Sequence, residues 1–135
     1  MKNGLVPKIR FRSFTEPWSH QPLSEAGKWR GGSTPSKADP TFWNGDIPWV
    51  SSGDVKELEL VQTKYSITKA AVEQTSVPLL PKDALILVTR SGILRKYLPV
   101  AILSREMAVN QDIKAVVTNG KADARFLLNV LINQE

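Results

Sequence analysis

Residues 31–55 read GGSTPSKADPTFWNGDIPWVSSGDV. Gly, Pro, Ser, Asp and Asn on their own would specify a solvated loop. Phe42, Trp43 and Trp49 stand among them, and each ring buries a large apolar area. A stretch with both properties is a loop packed down on a core and held in one shape. Ordered loops are where binding groups usually sit, so this stretch is the expected working surface.

The rest of the chain must provide the core. Leu85, Ile86, Leu87 and Val88 form a continuous apolar run after the turn at Pro81-Lys82-Asp83, the pattern of a strand buried on both faces. Residues 97–103 read as a second strand, which Pro99 assigns to an edge or a bulge because it lacks a donor. Residues 107–109 and 112–118 complete the strands, separated by Asn110-Gln111. Upstream, residues 8–12 alternate apolar and cationic side chains as a short strand within a basic extended arm, residues 1–17. A brief helix is expected over residues 23–29, capped by Ser24 and stopped by Gly31-Gly32. Asn44-Gly45 is a hairpin or tight-turn signal, and residues 46–50 lead a strand into the core. Leu58, Leu60, Tyr65 and Ile67 belong to strand-like segments. Thr68 caps a helix over 69–75. Asn119-Gly120 turns the chain, and Asp123 caps a last helix in which Phe126–Val130 and Leu127–Leu131 form one apolar stripe. The sum is a single strand-rich α+β domain with short helices, spanning residues 1–135.

Its 135 residues suffice for a real core, and 41% hydrophobic with 23% charged residues is ordinary for a globular protein. With no cysteine there is neither a disulfide nor a thiolate site, which suits a reducing cytoplasm. No apolar run reaches membrane-spanning length. The net charge is +5, and the whole excess lies in residues 1–37, where Lys2, Lys8, Arg10, Arg12, Lys28, Arg30 and Lys37 face only Glu16 and Glu25. Cationic charge gathered at one end is the footprint of a polyanion binder. A solvated basic arm that aids solubility accounts for the charge equally well.

Catalytic chemistry finds little support. His20 is the sole histidine, so no two-histidine metal site exists, and no P-loop or Gly-x-Gly-x-x-Gly occurs. Asp112-Ile113-Lys114 with Asp83 spells a minimal magnesium nuclease pattern, two carboxylates holding the ion beside a charge-stabilising lysine. Asp-x-Lys is also what an ordinary half-exposed strand presents on one face. Polar and cationic groups on loops are more persuasive as a cluster: Ser33, Thr34, Lys37, Asn44, Ser51 and Ser52 in the opening stretch, Arg90, Ser91, Arg95 and Lys96 after the buried strand, Asn110 and Gln111 in the next turn. Such groups suit phosphate oxygens and base edges of duplex DNA, although each alone serves equally as a turn or cap residue.

Val6-Pro7-Lys8-Ile9-Arg10-Phe11, Phe14-Thr15-Glu16-Pro17-Trp18, Gly32-Ser33-Thr34-Pro35-Ser36 and the run from Phe42-Trp43-Asn44-Gly45-Asp46 through Ser51-Ser52-Gly53-Asp54-Val55 resemble the specificity subunit of type I restriction-modification systems. Ile67-Thr68, Leu80-Pro81-Lys82, Thr89-Arg90-Ser91-Gly92, Val109-Asn110-Gln111 and Phe126-Leu127-Leu128 follow in that family's order. The resemblance implies a target recognition domain that reads one half of a bipartite site from the major groove. It implies no cofactor and no activity of the chain's own. Partner modification subunits would use S-adenosylmethionine to methylate adenine, and an endonuclease subunit would cleave unmodified DNA. Pro35, Trp43, Gly45 and Trp49 would form the loop framework, with Arg90 and neighbouring loop groups as DNA contacts. Full subunits of the family carry two such domains joined by helical spacers. The resemblance therefore makes this chain a half-subunit, which would pair with a second copy, a truncated product or an excised domain. A small magnesium nuclease, or a module that binds modification subunits without reading DNA, is the rival reading.

Overall fold

A computed structural model describes residues 6–120 and 122–133; Lys2 lies outside them. In chain order the strands are β1 (Gly27–Gly31), β2 (Trp43–Val50), β3 (Glu59–Leu60), β4 (Tyr65–Ile67), β5 (Leu79–Leu80), β6 (Leu85–Val88), β7 (Val100–Leu103), β8 (Met107–Val109) and β9 (Ile113–Thr118), with helices α1 (Lys69–Gln74) and α2 (Ala124–Ile132). All four residues of β6 are buried. It pairs antiparallel with β7 and β9 at the centre of a five-stranded sheet of order β1-β9-β6-β7-β3. A second sheet, β4-β2-β8-β5, pairs β2 with β8 in parallel.

The two sheets stack face to face. Between them lie Val50, Leu80, Met107 and Val109 of the smaller sheet and Ile86, Val88, Ala101, Leu103, Ile113 and Ala115 of the larger. The outer face of the larger sheet, Leu85, Leu87, Val100, Ile102 and Val116, is covered by Leu127 and Leu128 of α2. The outer face of the smaller sheet carries Trp49, Ile67 and Ala108, packed with Phe42, Ala71 and Val77 around α1. Strand alternation thus sends Ile86 and Leu87 into different layers, and a run with no polar position becomes the only sequence that serves a strand sandwiched on both sides. The α+β expectation is met as a helix–sheet–sheet–helix stack.

Several local expectations are corrected. Residues 8–12 form no strand: the Arg10 guanidinium donates to the carbonyls of Pro7, Phe14 and Thr15 and curls the arm upon itself. Ile9 and Phe11 stay 93% and 81% exposed. The helix expected over 23–29 is one turn of 3-10 helix, Leu23–Glu25, entered from Pro22 without a side-chain cap. Trp29 instead sits in β1, which alternates half-buried and exposed residues along the sheet edge and leans Trp29 on the α2-side core. Asn44-Gly45 is no hairpin turn. It lies inside β2, where Trp43 and Ile47 both register with Ile67, a bulge in which Asn44 takes φ 62°. Gly45 is required there, since a Cβ would collide with the Ile67 carbonyl oxygen. β7 is interior rather than an edge, because Pro99 precedes it and only its carbonyl is used, accepting from the Val88 N–H. On α2 the buried stripe is Leu127 and Leu128 with Ala124 and Leu131; Phe126 turns outward and meets Trp18 edge-on at 6.2 Å.

Asp123 and Thr68 cap as their positions predict. Asp123 accepts from the Arg125 and Phe126 N–H groups. Thr68 Oγ1 accepts from the Ala71 N–H at 3.3 Å and donates to the Thr41 carbonyl at 2.6 Å, tying α1 to the aromatic loop. Thr68→Ala is expected to lower stability by about 1–2 kcal/mol, at the upper end for a cap because both bonds go; denaturant titration with an unchanged m-value checks it.

Candidate functional site

Register decides which loops meet. β9 begins opposite the ends of both its neighbours, since Ile113 pairs with Val88 and Lys114 with Gly31. β2 and β8 run parallel and finish together, with Val50 beside Val109. The segments after β1, β2, β6 and β8 therefore emerge at one end of the stack. They bring Ser33 and Thr34, Ser51 and Ser52, Arg90 and Ser91, and Gln111 to that end, with Arg95 and Lys96 in the connection from β6 to β7.

Hydrogen bonds lock three of these segments together. Thr34 Oγ1 donates to Gln111 Oε1 at 2.5 Å, and Arg90 donates to the Gln111 carbonyl at 3.2 Å. Arg90 Nε also lies 3.3 Å from Asp112 Oδ1, in a pair whose side chains are 68% and 34% exposed. At that exposure the pair adds little stability, but it aims the guanidinium. Beneath, Thr89 donates through both N–H and Oγ1 to the Asp112 carbonyl, and the Ser33 N–H donates to that of Val109. Gly32 lets the chain approach this closely, because a Cβ there would collide with the carbonyl oxygens of Val109 and Asn110.

The tryptophans set the depth of the opening loop. Trp49 is buried and its indole donates to the Ser33 carbonyl at 3.1 Å; Trp43 donates to that of Ser36 at 3.0 Å. The two rings meet edge-on at 5.2 Å, and Tyr65 closes the cluster at 6.3 Å from Trp49. A loop of turn residues is thereby fixed from below by aromatic packing, with Pro35 buried in it.

Two sequence-predicted contacts fall elsewhere, and a third stands at this end with its side chain buried. Asn44 belongs to the bulge at the start of β2, the far end of the stack. Lys37 follows Ser36, which lies over Trp43 at the side of β2. Asn110 is 7% exposed, and its Oδ1 accepts from the Asp112 N–H at 3.0 Å, so its short side chain shapes the turn that presents Gln111. Ser51 is half committed as well, donating through N–H and Oγ to Asp54, whose carboxylate also receives the Lys64 N–H. Sequence reasoning passed over Lys56 and Tyr97 and placed Lys114 only in the nuclease pattern; the fold carries all three to the working end. Lys56 and Tyr97 share with Ser52 and Ser91 a shallow hollow between the β2 and β6 exits. Lys114 extends its ammonium over Gly31. Lys56 follows the Ser51–Asp54 turn and Tyr97 follows Lys96, so local sequence already put both beside the cluster; only Lys114 owes its place to cross-strand pairing, with Gly31.

The nuclease pattern does not assemble. Asp112 abuts the end of β6 while Asp83, at φ 71°, precedes its start, so the carboxylates stand at opposite ends of the sheet. Among the described residues no group of three or more His, Asp or Glu side chains could hold a metal. Nor is any described helix long and apolar enough to cross a membrane. Cations outnumber acids at this end: Lys56, Arg90, Arg95, Lys96 and Lys114 stand with Glu57 beside Lys56 in the chain, Asp54 tied up by Ser51 and Lys64, and Asp112 paired with Arg90.

Residues 15–135 match the family model described as the type I restriction modification DNA specificity domain. The chain is 38% identical over 110 residues to the type I restriction enzyme EcoR124I/EcoR124II specificity subunit of Escherichia coli, a match covering 81% of this chain and 27% of that one. It is 29% identical over 127 residues to the MjaIX specificity subunit of Methanocaldococcus jannaschii, covering 92% and 27%. The chain thus spans about a quarter of the length of these relatives. A solved structure concerned with complex assembly and conformational transition of the type I R-M system superposes with a TM-score of 0.62 at 11% identity, over 90% of this chain and 31% of that one, a likeness of fold.

Proposed function

This chain belongs to the type I restriction modification DNA specificity domain family, and from that premise we propose that it is a target recognition module for duplex DNA, reading a short run of base pairs with the loop end of its sheet stack. It would direct partner modification subunits to methylate adenine and the endonuclease subunit to cleave unmodified DNA. The observation that carries this reading is the Thr34–Gln111–Arg90 chain of hydrogen bonds. It fixes a carboxamide and a guanidinium, the two groups suited to adenine and guanine edges in the major groove, on a rigid platform with their orientation set before DNA arrives.

The cations around that centre suit the phosphate backbone, which supplies affinity without sequence information. Binding should therefore weaken steeply with salt. Replacing Arg95 and Lys96 together by alanine is expected to reduce the slope of log affinity against log salt by about 2, roughly 0.9 for each phosphate no longer neutralised, while the preferred sequence is kept. Fluorescence anisotropy on one duplex, at salt concentrations from about 50 to 200 mM, measures this. An unchanged slope would remove those side chains from the interface, and binding without salt dependence would argue against the reading as a whole.

A further inference from the structure

Between the exits of β2 and β6 the surface dips into a shallow hollow. Val55, Ile93 and Pro99 line its apolar wall, and Ser52, Ser91, Lys56 and Tyr97 supply its polar groups. Its chemistry is one-sided. Among the described residues no carboxylate lines it, and its lining residues carry hydroxyls and one ammonium. Ser91 Oγ accepts from the Ile93 N–H, which leaves the hydroxyl proton to donate outward. Ser52 Oγ is the more telling group: the oxygen is buried yet has no hydrogen-bond partner. A buried hydroxyl without a partner costs free energy, and turning the Ser52 hydroxyl out to an acceptor in the hollow would relieve that cost.

We infer that this hollow seats one deoxyribose-phosphate unit of the duplex backbone. The apolar wall would receive the sugar face, while the Ser52 and Ser91 hydroxyls and the Lys56 ammonium donate to phosphate oxygens. This inference rests on the reading of the chain as a duplex-DNA binder and adds where the strand is held. Ser91 directly follows Arg90 in the chain, so the anchor adjoins the base-reading centre. Such a clamp fixes the register in which the Gln111 and Arg90 groups meet base edges, without adding sequence information of its own.

The test uses the full chain and a duplex it binds, with single phosphates replaced in turn by neutral methylphosphonates. Lys56→Ala is expected to weaken matched and mismatched duplexes equally, by roughly tenfold, and to lower the salt slope by about 1. One methylphosphonate position should cost wild type a similar factor and cost Lys56→Ala almost nothing further. Ser52→Ala, which removes the unpartnered oxygen, should weaken binding uniformly while leaving the melting temperature unchanged or raised. The inference is overturned if duplex binding persists but no phosphate position is non-additive with Lys56→Ala. It is equally overturned if Ser52→Ala melts lower with unaltered affinity. A wild-type chain that binds no duplex would instead remove the functional reading beneath it.

Discussion

Trp49→Ala should be the most damaging single substitution in the aromatic loop, lowering stability by about 3–5 kcal/mol, the usual range for emptying a buried aromatic site. That is a large fraction of the roughly 5–15 kcal/mol that holds a domain of this kind together. The ring is 5% exposed and packs with Ile67, Ala71 and Ala108 in the layer under α1. Its edge-on contacts with Trp43 and Tyr65 would go with it, and so would the indole bond to the Ser33 carbonyl. Trp49→Phe separates these contributions. It keeps an aromatic ring in the layer but has no N–H for Ser33, so it should lose less stability while releasing the loop that positions Thr34. Chemical denaturation reports the first effect and duplex affinity the second. If Trp49→Ala cost less than about 1 kcal/mol, the opening loop would not be anchored by that ring.

The largest effect on recognition is expected at Arg90. Removing it deletes a guanidinium from the centre of the site, breaks the bond to the Gln111 carbonyl and leaves the Asp112 carboxylate without its partner, facing a polyanion. Arg90→Ala should therefore reduce affinity for the preferred duplex by about 1–3 kcal/mol, or roughly five- to more than a hundredfold. Its affinity for unrelated duplexes should fall less, so the ratio between them shrinks. Adding Asp112→Asn should restore part of the non-specific binding by removing the exposed negative charge, but not the sequence preference. Equal losses on matched and unrelated duplexes would reassign Arg90 to the phosphate backbone.

The sequence revealed the layers better than the edges. The Leu85–Val88 run announced a strand covered on both sides, and its burial follows from there being no polar position for solvent. The caps at Thr68 and Asp123 were legible because a side-chain oxygen reaching back to an N–H two or three residues on is a local event. Asn44-Gly45 misled because the same pair that turns a hairpin also tolerates a bulge, and only pairing with Ile67 distinguishes them. Trp29 was read into a helix because its partner Val116 lies far along the chain. The candidate site followed the same division. Arg90 and Gln111, next to strand exits, are nominated by local composition, and the fold brings them into contact. Lys56 lies just beyond the Ser51–Asp54 turn, Lys114 reaches this end through its pairing with Gly31, and Asn110, beside Gln111, has its side chain buried next to the β2–β8 pairing.

Repeated selection of the chain against a pool of random duplexes, at near-physiological salt, tests most directly whether the locked loop end reads base pairs. The expected result is enrichment of one short motif by the wild-type chain and loss of that enrichment with Arg90→Ala. A wild-type pool that stays random, with binding still present, would contradict it.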